Sequence, residues 1–127
     1  MKKYKIIYWI ATSIAAFMAL MAGVMYFTNP MVTEGFKHLG FPDYFRVELG
    51  TAKILGAIVL LLPMISSRIK EWTYAGFGIV YISAAIAHAV VDGPAGIGGP
   101  LISMAFLVIS YLCFTKLNSI RNLPAAA

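Results

Sequence analysis

The sequence has few charged residues, a single cysteine and no run of alternating polar and apolar residues. Of its 127 residues, 12% are charged and 61% are hydrophobic, whereas an average soluble domain has about 25% charged and about 45–50% apolar residues. This balance argues against a soluble domain and against a disordered chain, which needs high charge and low hydrophobicity. The lone Cys113 excludes an internal disulfide and a CxxC redox pair.

The apolar residues fall into four long segments that predict membrane-spanning helices. A helix needs about 20 apolar residues to cross a bilayer core of about 30 Å. The predicted helices cover residues 6–27, 46–65, 71–91 and 100–117, and residues 28–44 form an outer loop with a short interfacial helix. A cleaved signal peptide is the alternative for the first segment, but its 22 uncharged residues exceed the usual signal core of about 7–15. We therefore expect one all-α domain, residues 1–127, folded as an integral membrane four-helix bundle.

The basic residues are divided unequally between the two ends of these helices. Seven lie at the end that carries both termini, and two lie at the other end. The seven are Lys2, Lys3, Lys5, Arg68, Lys70, Lys116 and Arg121, and the two are Lys37 and Arg46. Because basic residues favour the cytoplasmic side, we expect both termini in the cytoplasm of a multi-pass cell-membrane protein, of the bacterial inner-membrane type. The expected partners are the lipid bilayer and another membrane protein or a second copy of the chain, with no nucleic acid.

A polar stripe follows the third predicted helix. Its members alternate three and four residues apart, which keeps them on one helical face. They are Glu71, Tyr74, Gly78, Tyr81, Ala85, His88 and Asp92. We expect this face to meet other helices and Ile79, Ile82 and Ile86 to meet lipid. The tyrosines have packing as an alternative role, whereas an ionisable histidine inside a span favours a functional site.

A polar intramembrane cluster of Glu48, Lys53, His88 and Asp92 is the predicted site. Glu48 lies 20 residues before Arg68 and His88 lies 20 residues after it, so both are expected at about the same depth. A Glu48–His88 contact would keep a buried carboxylate paired. For Lys53, the alternative is that its long side chain reaches the interface.

Metal binding and hydrolysis have little support in the sequence. Glu34 and His38, like His88 and Asp92, are four residues apart, and zinc would require the two pairs to converge. We expect no metal site and no intrinsic cofactor. No catalytic residue is assigned.

Residues 26–94 resemble the DoxX-like family of small four-helix membrane proteins. The resemblance rests on Leu39-Gly-Phe-Pro-Asp-Tyr-Phe45, Gly50-Thr-Ala-Lys-Ile-Leu-Gly-Ala57, Ile69-Lys-Glu-Trp-Thr-Tyr-Ala-Gly-Phe77, Ala84-Ala-Ile-Ala-His88 and Asp92-Gly-Pro94. One departure is Ala87, where the family often has serine. The resemblance implies that the family's positions correspond to Lys53, Gly56, Glu71, Trp72, Tyr74, Gly76 and His88.

The resemblance implies two functions of different kinds. Relatives named DoxX and DoxD are associated with quinone-linked sulfur oxidation or membrane oxidoreductase complexes, so one expectation is an oxidoreductase subunit or a quinone-contacting module. Distant eukaryotic relatives act as membrane chaperones, so the alternative is an assembly module that binds other transmembrane helices without catalysis. A quinone is the one cofactor that the resemblance suggests.

Overall fold

In a computed structural model, residues 2–121 are described and contain helices without strands. The elements are α1 (Lys2–Thr28), α2 (Pro30–His38), α3 (Asp43–Leu61), α4 (Ser67–Asp92), a 3-10 helix (Pro94–Ile97) and α5 (Gly98–Arg121). Of the domain predicted for residues 1–127, Met1 and residues 122–127 lie outside the described part. The all-helical prediction is confirmed for that part.

Local signals explain where the helices begin and end. The Asn29 side chain accepts a hydrogen bond of 2.9 Å from the backbone N–H of Met31, which caps α2. Gly40, at a φ of +88°, stands in the turn that follows α2. The α3 helix begins after Pro42 and ends at Leu61, so it starts and stops earlier than the predicted 46–65. Gly93, at a φ of +80°, ends α4.

The four long helices pack in a ring of neighbours. The α1 helix contacts α3 and α5, and α4 contacts α5 and α3. Glycine permits the α1–α3 approach, because a Cβ at Gly23 would lie 2.9 Å from the carbonyl oxygen of Gly50. Between α3 and α4, a Cβ at Gly56 would lie 2.7 Å from the ring of Phe77. Gly56 belongs to the segment Gly50–Ala57 that carries the family resemblance, so this segment serves helix packing at that position.

The tyrosines of the stripe and the isoleucines lie on different sides of α4. Tyr74 and Tyr81 are buried, whereas Ile79, Ile82 and Ile86 are more than half exposed. Three segments are long and apolar enough to cross a membrane: α1, α4 and Pro94–Ile120. The α3 helix is not among them, because Asp43, Arg46, Glu48 and Lys53 interrupt its apolar run.

Candidate functional site

A cavity of about 400 Å³ lies between α2, α3 and α4. Its lining is mainly aromatic and aliphatic, with Lys53 and His88 as the ionisable members. The lining residues are Tyr26, Phe36, Leu39, Phe41, Phe45, Leu49, Lys53, Ile79, Val80, Ser83, Ala84 and His88. A pocket of this size, apolar with a few polar groups, is typical of a small-ligand site.

The aromatic side of the cavity is built by α2 and the turn that follows it. The Phe36 ring meets the Tyr26 ring edge-on at 4.9 Å, and Phe41 stacks on Phe45 at 4.9 Å. The ring centre of Phe36 also lies 6.4 Å from that of Phe45. The α2 helix therefore turns its aromatic residue, Phe36, toward the cavity, whereas Met31 at its start is exposed.

Lys53 brings a buried ammonium group to the cavity. The residue is only 8% exposed, and its Nζ donates a hydrogen bond of 2.8 Å to the hydroxyl of Tyr26. The same Nζ lies 4.8 Å from the Tyr26 ring centre and 5.5 Å from that of Tyr81. Within residues 2–121, Lys53 forms no ion pair with a carboxylate. The ammonium is therefore enclosed by protein, between the rings of Tyr26 and Tyr81.

Tyr26 is held in place by contacts to its backbone and to its side chain. Arg46 of α3 donates a hydrogen bond from Nη1 to the Tyr26 carbonyl, and its Nε and Nη2 donate to Asp43 at 3.1 and 2.9 Å. This contact joins the end of α1 to the start of α3. The Tyr26 ring is held by Phe36 and its hydroxyl by Lys53. One tyrosine therefore connects three helices at the cavity.

His88 lines the cavity and contacts a carboxylate that also holds α2. Its Nδ1 lies 3.4 Å from Asp92 Oδ2, while His38 Nε2 lies 2.5 Å from Asp92 Oδ1. Asp92 thus bridges α4 to the last residue of α2. The 3-10 helix packs closely against His88, because a Cβ at Gly96 would lie 3.1 Å from the Cβ of His88. The sequence predicts His88 and Asp92 together, and the structure adds His38.

Glu48 does not join the predicted cluster. Its side chain is exposed and, among the described residues, it has neither a hydrogen bond nor an ion pair. The predicted Glu48–His88 contact is wrong because the residue count fixes depth but not direction around the helix. Glu48 and Lys53 are five residues apart, about 140° around α3. With Lys53 directed inward, Glu48 is directed away from the cavity.

Glu71 also departs from the expectation for the stripe. It is exposed and lines a separate surface cavity of about 280 Å³ beside Tyr74 and Tyr111. Of the two pairs considered for zinc, His38, His88 and Asp92 meet, whereas Glu34 contacts Lys37 at 3.5 Å and stays apart from them. Residues 2–121 hold no group of three or more histidine, cysteine or acidic side chains placed to bind a metal.

Tyr74 belongs to a separate, fully enclosed network. Its hydroxyl oxygen lies 2.6 Å from Ser110 Oγ, which lies 2.5 Å from Thr12 Oγ1. Thr12 and Ser110 are completely buried. The three hydroxyls join α1, α4 and α5, so the packing interpretation of Tyr74 is the one that its contacts favour.

The aromatic residues of the cavity and the buried state of Lys70 are not found by sequence reasoning. The signal that would have indicated the aromatic lining is the placement of phenylalanines around a Gly-Phe-Pro turn, at Phe36, Phe41 and Phe45. Lys70 is one basic residue among several at its end of the chain, and no local pattern distinguishes it. Its side chain is nonetheless only 4% exposed.

Comparison with known proteins gives one match. The family model described as the DoxX-like family matches residues 10–110, which include all the residues that line the 400 Å³ cavity and the Thr12–Ser110 pair. No curated protein and no solved structure matches the chain.

Proposed function

This chain belongs to the DoxX-like family, and we propose that it binds the head group of a lipid-soluble quinone in the cavity between α2, α3 and α4, as a subunit of a membrane oxidoreductase complex. The observation that carries the proposal is the pairing of aromatic walls with the buried Lys53 ammonium. The proposal includes a membrane arrangement, because that arrangement determines how a ligand reaches the cavity.

The proposed arrangement is a four-helix bundle with α3 as the fourth span and both termini in the cytoplasm. Three of the four charges of α3 lie within its first six residues, where Asp43 pairs with Arg46. The fourth, Lys53, is enclosed by protein, and the residues after it are apolar. The seven-to-two division of basic residues supports the orientation. The cavity would then open near the outer surface of the cell membrane.

Cysteine labelling in intact cells tests this orientation. In a Cys113→Ser background, one cysteine replaces Glu34 in α2, and another replaces Met64 in the turn before α4. Both side chains are well exposed. A membrane-impermeant maleimide should label the Glu34→Cys variant in intact cells and the Met64→Cys variant only after the membrane is opened. The reverse pattern would contradict the orientation, and labelling of both in intact cells would contradict the single span, α3, that is proposed to lie between them.

The chemistry of the cavity suits a quinone. A quinone ring is flat and apolar, with carbonyl oxygens that accept hydrogen bonds at its edge. The rings of Phe36, Phe41 and Phe45 offer faces and edges for stacking. Lys53 Nζ and the His88 ring supply donors on the same lining. In this proposal Lys53 binds a carbonyl oxygen, His88 orients the ring, and the aromatic walls keep water out.

An oxidoreductase partner is part of the proposal because the chain's described residues offer no redox centre of their own. Cys113 is a free, buried thiol, and residues 2–121 contain no metal-binding group. A bound quinone would supply the electron-transfer chemistry, and another protein would exchange electrons with it. The role of this chain would be to hold the head group beside that protein.

Quinone extraction and direct binding test the proposal. The protein purified from its membrane is extracted with organic solvent, and the extract is analysed for quinones by mass spectrometry. Binding of a short-chain ubiquinone and a short-chain menaquinone is then measured by calorimetry in detergent. Ala84→Phe places a ring in the cavity and should abolish binding. Ala89→Phe, on the exposed face of the same helix, is the matched control and should bind normally.

Lys53→Gln should weaken quinone binding about tenfold or more, which corresponds to loss of one hydrogen bond from a charged donor. Absence of quinone from the extract together with equal quinone binding by Ala84→Phe and Ala89→Phe would contradict the proposal. Helical content measured by circular dichroism shows that each variant is folded.

A second candidate, the assembly module, has one observation in its favour. Only 17% of the apolar stretch of α4 is buried inside the protein, whereas 33% of the apolar stretch of α1 is buried. Beside it, a groove of about 290 Å³ between α3 and α4 exposes the small residues Ala52, Gly56 and Gly76. Small residues allow another helix to approach closely. Gly76→Leu should abolish co-purification of a membrane partner without changing quinone binding if this surface serves assembly.

A further inference from the structure

A second cavity, of about 280 Å³, lies at the opposite end of the molecule from Lys53. It is bounded by α1, α4 and α5, and its polar lining consists of Lys5, Tyr8, Ser67, Lys70 and Asn118. Two residues of this lining are basic and none is acidic. The cavity is therefore positively charged, although nothing described above gives it a role.

Lys70 is the unusual member of this lining because its charge is buried without a counter-charge. Its Nζ donates hydrogen bonds to the hydroxyl of Tyr8 at 3.2 Å and to the carbonyl of Leu60 at 3.4 Å. The rings of Tyr8 and Trp9 lie 5.9 and 5.8 Å from it. All of these partners are uncharged, and within the described residues Lys70 has no ion pair. A buried charge costs free energy unless an opposite charge accompanies it.

Two further features favour an anion at this position. Lys5 lies on the rim and is exposed, so its ammonium is free to move toward a ligand. The 26-residue α4 helix begins at Ser67 in the same lining, with no acidic residue in its first turn. The N-terminus of a helix carries a partial positive charge that attracts anions. Lys70, Lys5 and the N-terminus of α4 together form a site that suits a phosphate-sized anion.

The remaining lining indicates which anion. Trp9, Ile65 and Leu117 give the cavity apolar walls, and the adjoining α1 surface exposes Ile6 and Ile10. An apolar surface beside a basic pocket suits a molecule that has acyl chains and a negative head group. Trp9 is also of the residue type that is enriched at the level of lipid head groups.

We propose that this cavity binds the phosphate of an anionic phospholipid, with Lys70 inside and Lys5 at the rim. The proposal rests on the membrane arrangement proposed above but not on the quinone site, which lies at the other end of the helices. The lipid would supply the counter-charge that Lys70 lacks and would join α1, α4 and α5 at the cytoplasmic surface.

Binding of lipids to the delipidated full chain in detergent tests the proposal. Native mass spectrometry compares phosphatidylglycerol, which is anionic, with phosphatidylcholine of the same acyl chains. We expect phosphatidylglycerol to bind more tightly, and Lys5→Gln to weaken it about fivefold, the effect of about 1 kcal/mol for one basic residue near a phosphate. Lys70→Gln should weaken it further. Lys3→Gln removes the same charge from an exposed position outside the lining and should leave binding unchanged.

Three results would overturn the proposal. These are equal binding of the two lipids, equal loss in Lys3→Gln and Lys5→Gln, and displacement of phosphatidylglycerol by millimolar inorganic phosphate, which would identify a site for free phosphate. If Lys70→Gln fails to fold, Lys5→Gln still decides, because that side chain is exposed. Quinone binding by Lys5→Gln should equal that of the unaltered protein, so the failure of one proposal is distinguishable from the failure of the other.

Discussion

The ammonium of Lys53 in α3 donates a hydrogen bond of 2.8 Å to the hydroxyl of Tyr26 near the end of α1. A second pair repeats this relationship at the other end of the molecule, where Lys70 of α4 donates to Tyr8 of α1 at 3.2 Å. Each lysine is buried, and each has a tyrosine as its polar partner in place of an acid. The α1 helix therefore supplies an uncharged acceptor to a buried lysine of α3 and to one of α4.

Tyr26→Phe should destabilise the protein by about 1–3 kcal/mol, because it leaves the Lys53 ammonium buried without its acceptor. The free energy of unfolding is measured by titration with sodium dodecyl sulfate and circular dichroism. Tyr44→Phe removes a hydroxyl from a residue that is 72% exposed and should have no effect. Equal stability of the two variants would show that the Lys53–Tyr26 hydrogen bond contributes little.

Ser110→Ala should cost about 1–2 kcal/mol in the same titration, because two buried hydroxyls lose their common partner. Ser103→Ala, on the same helix, is the control, since within the described residues Ser103 makes no hydrogen bond. Thr12→Val combined with Ser110→Ala should cost less than the sum of the single changes, because the two residues contact each other. Additive losses would be inconsistent with a connected network.

Gly23→Ala should destabilise the α1–α3 contact by about 1–3 kcal/mol, because its Cβ would approach Ile54 Cγ1 to 2.7 Å and a backbone oxygen to 2.9 Å. Gly78→Ala has no atom within 4 Å of the new Cβ and should be tolerated. Unfolding free energies of the two variants provide the measurement. The prediction is wrong if the Gly23 variant is as stable as the Gly78 variant.

Asp92→Asn should loosen α2 without unfolding the long helices, because a neutral amide binds His38 more weakly than a carboxylate does. Hydrogen–deuterium exchange should accelerate in Pro30–His38 and remain slow in α1 and α5. Glu34→Gln alters an exposed ion pair within α2 and is the control. Unchanged exchange in α2 would show that the aromatic contacts alone hold this helix over the cavity.

The predicted helices and the division of α4 depend on local information, which explains why they could be derived from the sequence. The length of an apolar run determines whether a helix can cross a membrane, and three- and four-residue spacing determines which residues share a face. The spacing therefore assigns Tyr74 and Tyr81 to the buried side of α4 and the isoleucines to the exposed side. The family resemblance likewise rests on residues that are close together in the chain.

The partners of the ionisable residues were decided by the tertiary structure alone. Counting from Arg68 placed Glu48 level with His88, but depth does not determine the direction of a side chain around a helix that is free to rotate about its axis. Packing turned Lys53 inward against Tyr26, 27 residues earlier, and left Glu48 outside. It also brought His38 to Asp92 across 54 residues. Local sequence patterns are enough to specify which helices form and which face of α4 carries the tyrosines. The packing of α1, α2 and α4 around α3 specifies which polar residues meet, because such contacts depend on the relative rotation of helices that lie far apart in the chain.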